Sequence, residues 1–539
     1  MKKVNSILFF LTLCLHSTFS NAQPILNERY GIGDETNVFF SSVIVTDSCY
    51  YVNGVHTSSP SAVNFKSSHT KFNLDGSVAS QKELAHDTLG IIFWHTSEML
   101  TTLDGNFAQM ALVGGLESES AFMFFKINPN GDTISTNYIY DFYEEREEFG
   151  IAPYALIQEA DSSYFGIMSV QRKSDLRAGV IFYKLDKNGD LLFNTPFYPP
   201  ADLNYHILRP GSLTKENDSV FVIGATLVGA LGVENADERK HSKLIRVNKY
   251  GDFLNEYTYW EDKLCSNVNG LTKLQDGGFL YCGRNGSHNT ETNGFRYIGR
   301  VVKINADYSI DWELTLGDST GFSRIGLNKI LTISDSEFVA VGFMHDRTTL
   351  DDRSNYGWLV KFDIHGNKIW ERRHLKVPHF EGETNYAIHE LYDAEITPDN
   401  GFVMVGNSFN FHENEFETGQ KGWLLKTDKY GCLVPNCHLI GVEIEPNDTN
   451  VKPPVKEPTT WIYPNPTSKS LFYYHHQDEF KGGTAYIYNS AGQMVQKWEI
   501  TANDITYEVD VSQLAVGSYI LKVFNMLGEA IEVDRFVKN

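Results

Sequence analysis

Seven times along the chain an Asp, one or two small or polar residues and an aromatic or apolar run recur at nearly constant spacing. The copies begin at Asp47, Asp104, Asp161, Asp218, Asp276, Asp335 and Asp399, with steps of 57, 57, 57, 58, 59 and 64 residues. A second marker falls between the first ones: Lys or Arg, an apolar residue or Thr, Asp or Asn, then usually Gly. Its copies start at Lys71, Lys126, Lys184, Arg246, Lys303, Lys361 and Lys426. The fifth copy, "KINADYS", departs from the others, with Ser309 near the place of their glycine. A long period of this kind means one supersecondary unit per repeat, each needing its neighbours to bury its faces.

The two markers divide each repeat into four strands. In the sixth, "LNKILTIS" is a first strand, Asp335-Ser336-Glu337 a turn, "FVAVGF" a second strand, "GWLVKFD" a third, Ile364-His365-Gly366 a turn and "KIWERR" a fourth. Asp, Asn and Gly suit such turns because they tolerate or cap left-handed backbone. Gly 43 and 13% aromatic residues agree with strands, and no helical periodicity runs through the chain after the leader. The expectation is an all-β fold: a seven-bladed β-propeller over residues 23–441, followed by a small immunoglobulin-like β-sandwich. A linear solenoid would carry capping repeats, and none is visible. The seventh repeat lacks a fourth strand, while "ILNERYGIGDE" near the start reads like one. The N-terminal strand should therefore complete the outer edge of the last blade.

The first 22 residues, "MKKVNSILFFLTLCLHSTFSNA", have the charged start, apolar core and small-x-small end of a secretory signal peptide. No later run is long and apolar enough for a spanning helix. A formal net charge of −22 argues against a nucleic-acid partner. Without Cys14 the chain keeps five cysteines, and only Cys432 and Cys437 are closely spaced; an exported chain should join them in a disulfide. No second Cys or His pair stands at zinc-ligand spacing nearby.

In antiparallel units the short turns share one face and the long connections the other. Loops on a rigid scaffold carry function, so the long-loop face is the place to search. Arg284 and His288 in "GRNGSHNTETNGFR", His345, Asp346 and Arg347 in "GFMHDRTTLDDRSNYG", and His412 and Glu413 in "GNSFNFHENEFETGQKG" are the candidate ligand contacts. No zinc-protease motif, nucleophile elbow, phosphate loop or dinucleotide fingerprint occurs. No catalytic residue, metal or cofactor is assigned. "KFDIHGNKIWE", which looks like a fragment of a metal loop, reads as a hairpin of the sixth repeat: turn residues Asp363 and Gly366, and a Trp370 that packs between neighbours.

Residues 442–458, acidic and Pro-rich, form a linker. Residues 459–539 alternate like strands and carry Tyr463-Pro464-Asn465-Pro466, then Tyr488-Asn489-Ser490-Ala491-Gly492. Leu514-Ala515-Val516-Gly517-Ser518-Tyr519 and Arg535-Phe536-Val537-Lys538 follow. In this order they closely resemble the type A C-terminal sorting domain of the type IX secretion system of Bacteroidota, with Arg535 where a Lys is common. The resemblance implies passage through the outer membrane and partnership with the secretion machinery. It also implies removal of the module by a surface sortase-like peptidase, then release or surface attachment. The expected protein is a secreted or surface-attached, non-catalytic binder of a glycan or surface protein. The alternative is a polysaccharide-active hydrolase or lyase with its acid and base on the long-loop face.

Overall fold

The computed structural model describes residues 23–433, 437 and 460–539. Within these stretches 33–36, 58–64, 85–89, 115–120, 140–147, 200–204, 230–239, 260–264, 290–293, 318–324, 346–354, 377–386 and 411–419 are excepted, as are 464–466, 476–482, 490–492, 501–505 and 526–529. The leader and the linker thus lie outside the described residues. The chain divides into two compact units, Met1–Val442 and Glu443–Asn539, both built of strands.

The first unit is a succession of antiparallel four-strand meanders, one per repeat. The sixth is typical: Gly326–Thr332, Glu337–His345, Asn355–Asp363 and Lys368–His374, hydrogen-bonded in that order. The innermost strand is interrupted in the second repeat, as Gly90–Ile92 and Leu100–Thr101, and in the fifth, as Cys265–Ser266 and Gly270–Lys273. In the seventh, Ala387–Ile396, Phe402–Asn410 and Lys421–Thr427 are completed by Leu26–Tyr30 from the start of the chain. That strand pairs antiparallel, Leu26 opposite Lys426 and Tyr30 opposite Gly422.

Each meander touches the next. Met99 N donates to Ser42 Oγ (2.8 Å), Leu103 N to Gln158 Oε1 (2.7 Å), Val268 N to Thr226 Oγ1 (3.2 Å), Asn269 Nδ2 to Leu327 O (2.9 Å) and Asn328 Nδ2 to Leu391 O (2.7 Å). A parallel bridge between Ala178 and Ile207 joins the third to the fourth. Val43 N donates to Asp393 Oδ2 (2.8 Å), so the seventh meets the first and the circuit returns on itself.

Both repeat markers are explained by local physics. The Asp of the first turn faces the Lys of the third strand of its own repeat: Asp104 with Lys126 (2.7 Å), Asp161 with Lys184 (3.8 Å), Asp276 with Lys303 (3.1 Å) and Asp399 with Lys426 (3.1 Å). In the fourth and sixth repeats a glutamate takes the place: Glu216 with Arg246 (2.7 Å), Glu337 with Lys361 (2.9 Å). Where the carboxylate is open to solvent such pairs are worth roughly 0–1 kcal/mol and hold the register of three strands rather than supply stability; Asp399 with Lys426 is the buried pair of the set. In the second marker the Asp or Asn caps the turn. Asp363 Oδ1 accepts from His365 N and Asn367 N, both at 2.9 Å. These bonds hold the Asp363 carboxyl below the usual range, the Asn367 contacts first among them. "KFDIHGNKIWE" is therefore scaffold: His365 is exposed at the turn tip, and Trp370 packs on Phe402 of the next meander (6.3 Å between rings).

The last position of that turn is left-handed in every repeat: φ is +83° at Gly76, +80° at Gly131, +96° at Gly189, +88° at Gly251, +81° at Gly366 and +71° at Gly431. In the fifth repeat the residue there is Tyr308 (φ +68°), not Ser309. A tyrosine holds this conformation because its ring is fixed on three sides. It stacks on Tyr257 at 4.1 Å, lies under the Arg246 guanidinium at 5.4 Å, and donates from Oη to Glu216 Oε2 at 2.8 Å. Truncating a buried aromatic ring costs about 3–5 kcal/mol. Glycine relieves the left-handed strain, worth about 1 kcal/mol. Tyr308→Gly should therefore be less destabilising than Tyr308→Ala in chemical denaturation, the reverse of the usual ranking in a strand protein.

In the second unit, Thr460–Tyr463, Ser470–His475 and Thr506–Asp510 form one sheet; Met494–Ile500, Gly483–Asn489, Gly517–Asn525 and Ala530–Lys538 form the other. One core, including Leu471 and Val509 from the first sheet and Ile487, Leu521 and Phe536 from the second, joins them.

Candidate functional site

The circuit of first strands encloses a cavity of about 590 Å³. Trp94, His95, Tyr154, Arg209, Asn328 and Tyr392 are among the side chains that line it. What shapes it is the break in the first strand of the second repeat. The seven residues between Ile92 and Leu100 leave the sheet and reach four other repeats. Met99 N bonds to Ser42 as above, and Thr96 Oγ1 donates to Pro153 O (2.7 Å). His95 stacks on Tyr392 (4.8 Å), and Glu98 approaches Lys329 Nζ (3.5 Å). Burial holds His95 well below the ordinary histidine value, at about 4, so it is neutral at physiological pH.

Beside Glu98 lies an ion cluster. Lys329 Nζ donates to Asp393 Oδ1 at 2.5 Å and stands 3.7 Å from Glu395. Asp393 is nearly inaccessible, and its other oxygen accepts from Ser42 Oγ and Val43 N, both at 2.8 Å. Desolvation works against the Lys329 ammonium, but Asp393, Glu98 and Glu395 together raise it above the usual lysine range. Glu98 keeps 51% of its side chain open and Glu395 43%; part of what Glu98 faces is the cavity. Burial, then Asp393 and Glu98, push the Glu395 carboxyl up to about 7 against the pull of Lys329. A native carboxyl that holds its proton more tightly than the unfolded chain contributes stability below pH ~4.5 that is lost as pH rises toward 7. Glu395→Gln should flatten the decline of melting temperature between pH 4.5 and 7 and leave the protein no less stable than wild type at pH 8. An unchanged profile would exclude Glu395 as its source.

Of the residues that sequence reasoning placed at the ligand face, Arg284 reaches the cavity, with its guanidinium 4.6 Å over the Tyr297 ring; it stands in a strand, not a loop. His345 is a correction. The pairing of Glu337–His345 with Asn355–Asp363 continues to its end, so His345 is a buried strand residue opposite Asn355 rather than an exposed loop contact. His288 lies in Phe279–Asn289, its backbone opposite Phe295. Asp346, Arg347, His412 and Glu413 lie outside the described residues. The cavity residues were missed because they sit in or beside first strands. One sign was available: the run from Gly90 to Asp104 is longer than its counterpart from Gly326 to Asp335.

Cys432 and Cys437 are joined in the structure, with Cα atoms 5.7 Å apart. Cys49 and Cys282 are buried free thiols, and burial pushes Cys282 up to about 12, which makes it a poor nucleophile. Among the described residues no group of three or more His, Cys, Asp or Glu is placed to hold a metal ion, and no helix is long and apolar enough to cross a membrane.

In the C-terminal unit the recurring residues meet across one strand pair. Gly517–Asn525 runs against Ala530–Lys538, with Tyr519 opposite Phe536 and Gly517 opposite Lys538. The two rings stack at 5.4 Å, Tyr519 Oη donates to Ala515 O (2.7 Å), and Arg535 Nη2 donates to Ser518 Oγ (2.9 Å). Thr467 N donates to Val537 O (2.8 Å). Pro464, Asn465, Pro466 and Gly492 lie outside the described residues.

Sequence comparison with curated proteins finds no match. Among solved structures, the chain is similar to the Penicillium chrysogenum alpha-L-arabinanase complexed with arabinobiose at 15% identity and TM-score 0.37, covering 62% of this chain and 93% of that one. It is similar to the GH93 alpha-L-arabinofuranosidase of Fusarium graminearum with arabinobiose at 10% and 0.41, with the same coverage. The lignostilbene dioxygenase of Pseudomonas brassicacearum matches at 10% and 0.37, over 74% of this chain and 91% of that one. Likenesses this distant carry no substrate across. The Secretion system C-terminal sorting domain family matches residues 461–538, the span that holds the strand pair and stacked rings just described. The C-terminal module is thus a type IX sorting domain, and the chain is a cargo of that secretion system, exported to the cell exterior or its surface.

Proposed function

We propose that the exported body, residues 23–441, is a seven-bladed β-propeller that binds a small glycan or a peptide segment of another surface protein in its axial cavity. The leader acts as a signal peptide. The sorting module is an immunoglobulin-like sandwich, cut away by a surface sortase-like peptidase after delivery. The cavity carries this reading. Its wall combines aromatic faces with amide and hydroxyl groups, the mixture that orients a small polar ligand. Glu98 faces the Lys329 ammonium and Glu390 accepts a hydrogen bond from Tyr392 Oη at 2.8 Å, an arrangement suited to holding rather than to proton transfer.

One observation favours the hydrolase alternative: Glu98, which lines the cavity, shares the Lys329 ammonium (3.5 Å) with Glu395 (3.7 Å), whose carboxyl is pushed up to about 7 by burial, Asp393 and Glu98, the range a general acid uses. A glycan and peptide array, followed by turnover assays on every ligand retained, separates the readings. Binding without turnover, with tryptophan fluorescence that responds to ligand and affinity that drops at least about tenfold in Trp94→Ala, supports the binding protein. Turnover abolished by Glu98→Gln or Glu395→Gln supports the enzyme.

A further inference from the structure

The cavity wall is polarised. Arg209, on Tyr205–Asn217 of the fourth repeat, and Arg284, on Phe279–Asn289 of the fifth, line one side. The seventh repeat supplies Glu390 and Tyr392, and the second supplies Trp94 and His95. In a circuit of seven, the fourth and fifth members face the seam between the seventh, first and second. The cationic wall therefore stands across the cavity from an aromatic wall that carries a carboxylate.

The aromatic wall is preassembled. His95 stacks on Tyr392 at 4.8 Å, Trp94 lies 5.4 Å from His95, and Phe39 of the first repeat meets both Trp94 and Tyr392 edge-on at 6.4 Å. Tyr392 Oη holds the Glu390 carboxylate at 2.8 Å. Aromatic faces beside a fixed carboxylate attract an organic ammonium, through the ring quadrupole and through charge. Opposite, Arg209 is exposed in the wall, and a guanidinium is the group best shaped to receive a carboxylate. A neutral sugar would stack on the aromatic faces and hydrogen-bond to both walls, but it carries no charge to meet theirs.

We propose that the ligand of this cavity is zwitterionic, a short peptide with both termini free, its ammonium on the Glu390–Tyr392–Trp94 side and its carboxylate on the Arg209–Arg284 side. This rests on the binding-protein reading and names its ligand class. A cavity of this volume is about 10 Å across, the reach of roughly three extended residues.

The test is calorimetric titration of the full-length mature protein with triglycine, N-acetyl-triglycine, triglycine amide and maltotriose. Triglycine is expected to bind saturably, and blocking either terminus to weaken binding at least about tenfold. Arg209→Gln should abolish the penalty for amidation, and Glu390→Gln the penalty for acetylation. Each variant is checked by its melting curve, while the blocked ligands give the answer on unaltered protein. Equal binding of free and blocked peptides overturns the proposal. Maltotriose binding without triglycine binding overturns it and leaves the binding-protein reading standing. No saturable binding here overturns it as well; the broader array, not this titration, decides the fate of that reading.

Discussion

Deleting residues 23–32 from the mature chain should abolish the cooperative thermal transition of the first unit and drive it into soluble aggregates visible by size-exclusion chromatography. The segment is short, but it bridges the seam between the last repeat and the first. Trp423 Nε1 donates to Asn27 Oδ1 (2.8 Å) and Arg29 Nε to Ser408 Oγ (2.7 Å) in the seventh repeat; Tyr30 Oη donates to Gly76 O (2.7 Å) in the first. Gln23 is held from both sides, its backbone N 2.9 Å from Asp399 Oδ2 and its Oε1 accepting from Tyr50 Oη at 2.9 Å. Without the strand, Lys421–Thr427 becomes an open edge whose Trp423, Leu424 and Leu425 are otherwise fully buried. Such an edge is a template for pairing with other chains. Leu26, in the core shared by the first and last repeats, gives a graded version: Leu26→Ala should cost about 2–5 kcal/mol in denaturant titration. A peptide of residues 23–32 supplied in trans should restore the transition by adding back the strand. A deletion that melts like wild type would show that the ring does not depend on this closure.

Truncation after Pro458 should remove the protein from the medium and the cell surface and leave it folded in the periplasm. The first unit is compact in its own right, so loss of the sorting module removes the address and not the body. Protease shaving and fractionation read the outcome, and normal surface display of the truncated chain would refute the assignment. Phe536→Ala tests how far export depends on the integrity of the module. Phe536 is fully buried against Tyr519, and the truncation should cost about 3–5 kcal/mol. Export should fall in parallel with the melting of the module. Ser518→Ala, which removes the Arg535 hydrogen bond at 2.9 Å, should leave folding nearly unchanged.

Much of this protein is legible in its sequence, and the reasons are local. A turn of three residues needs a capping oxygen and a left-handed position whatever surrounds it, so Asp363 and Gly366 announce a hairpin on their own. Strand alternation then follows from the pleat. The unfinished seventh repeat and the strand-like stretch at Leu26–Tyr30 made closure readable, because an unpaired edge demands a partner. The sorting module was readable for a different reason: its motifs lie in one continuous stretch. Where local reading failed, a distant group had intervened. Tyr308 occupies a glycine position because Tyr257, Glu216 and Arg246 hold its ring. His345 looked like the start of a loop, but the neighbouring strand extends to cover it.

The amino-acid order by itself determined the repeat, the strands, the turns and the export address, since each depends on residues close together in the chain. The cavity was decided only by the tertiary structure. Trp94, Arg209, Arg284 and Tyr392 come from four repeats, with no common spacing and no motif. They line one cavity because the circuit returns on itself, and the segment between Ile92 and Leu100 shapes it by leaving its sheet for hydrogen-bond, ring and ion-pair partners in four other repeats. Hydrogen bonding along a strand is a property of neighbours; convergence on an axis is a property of the closed assembly.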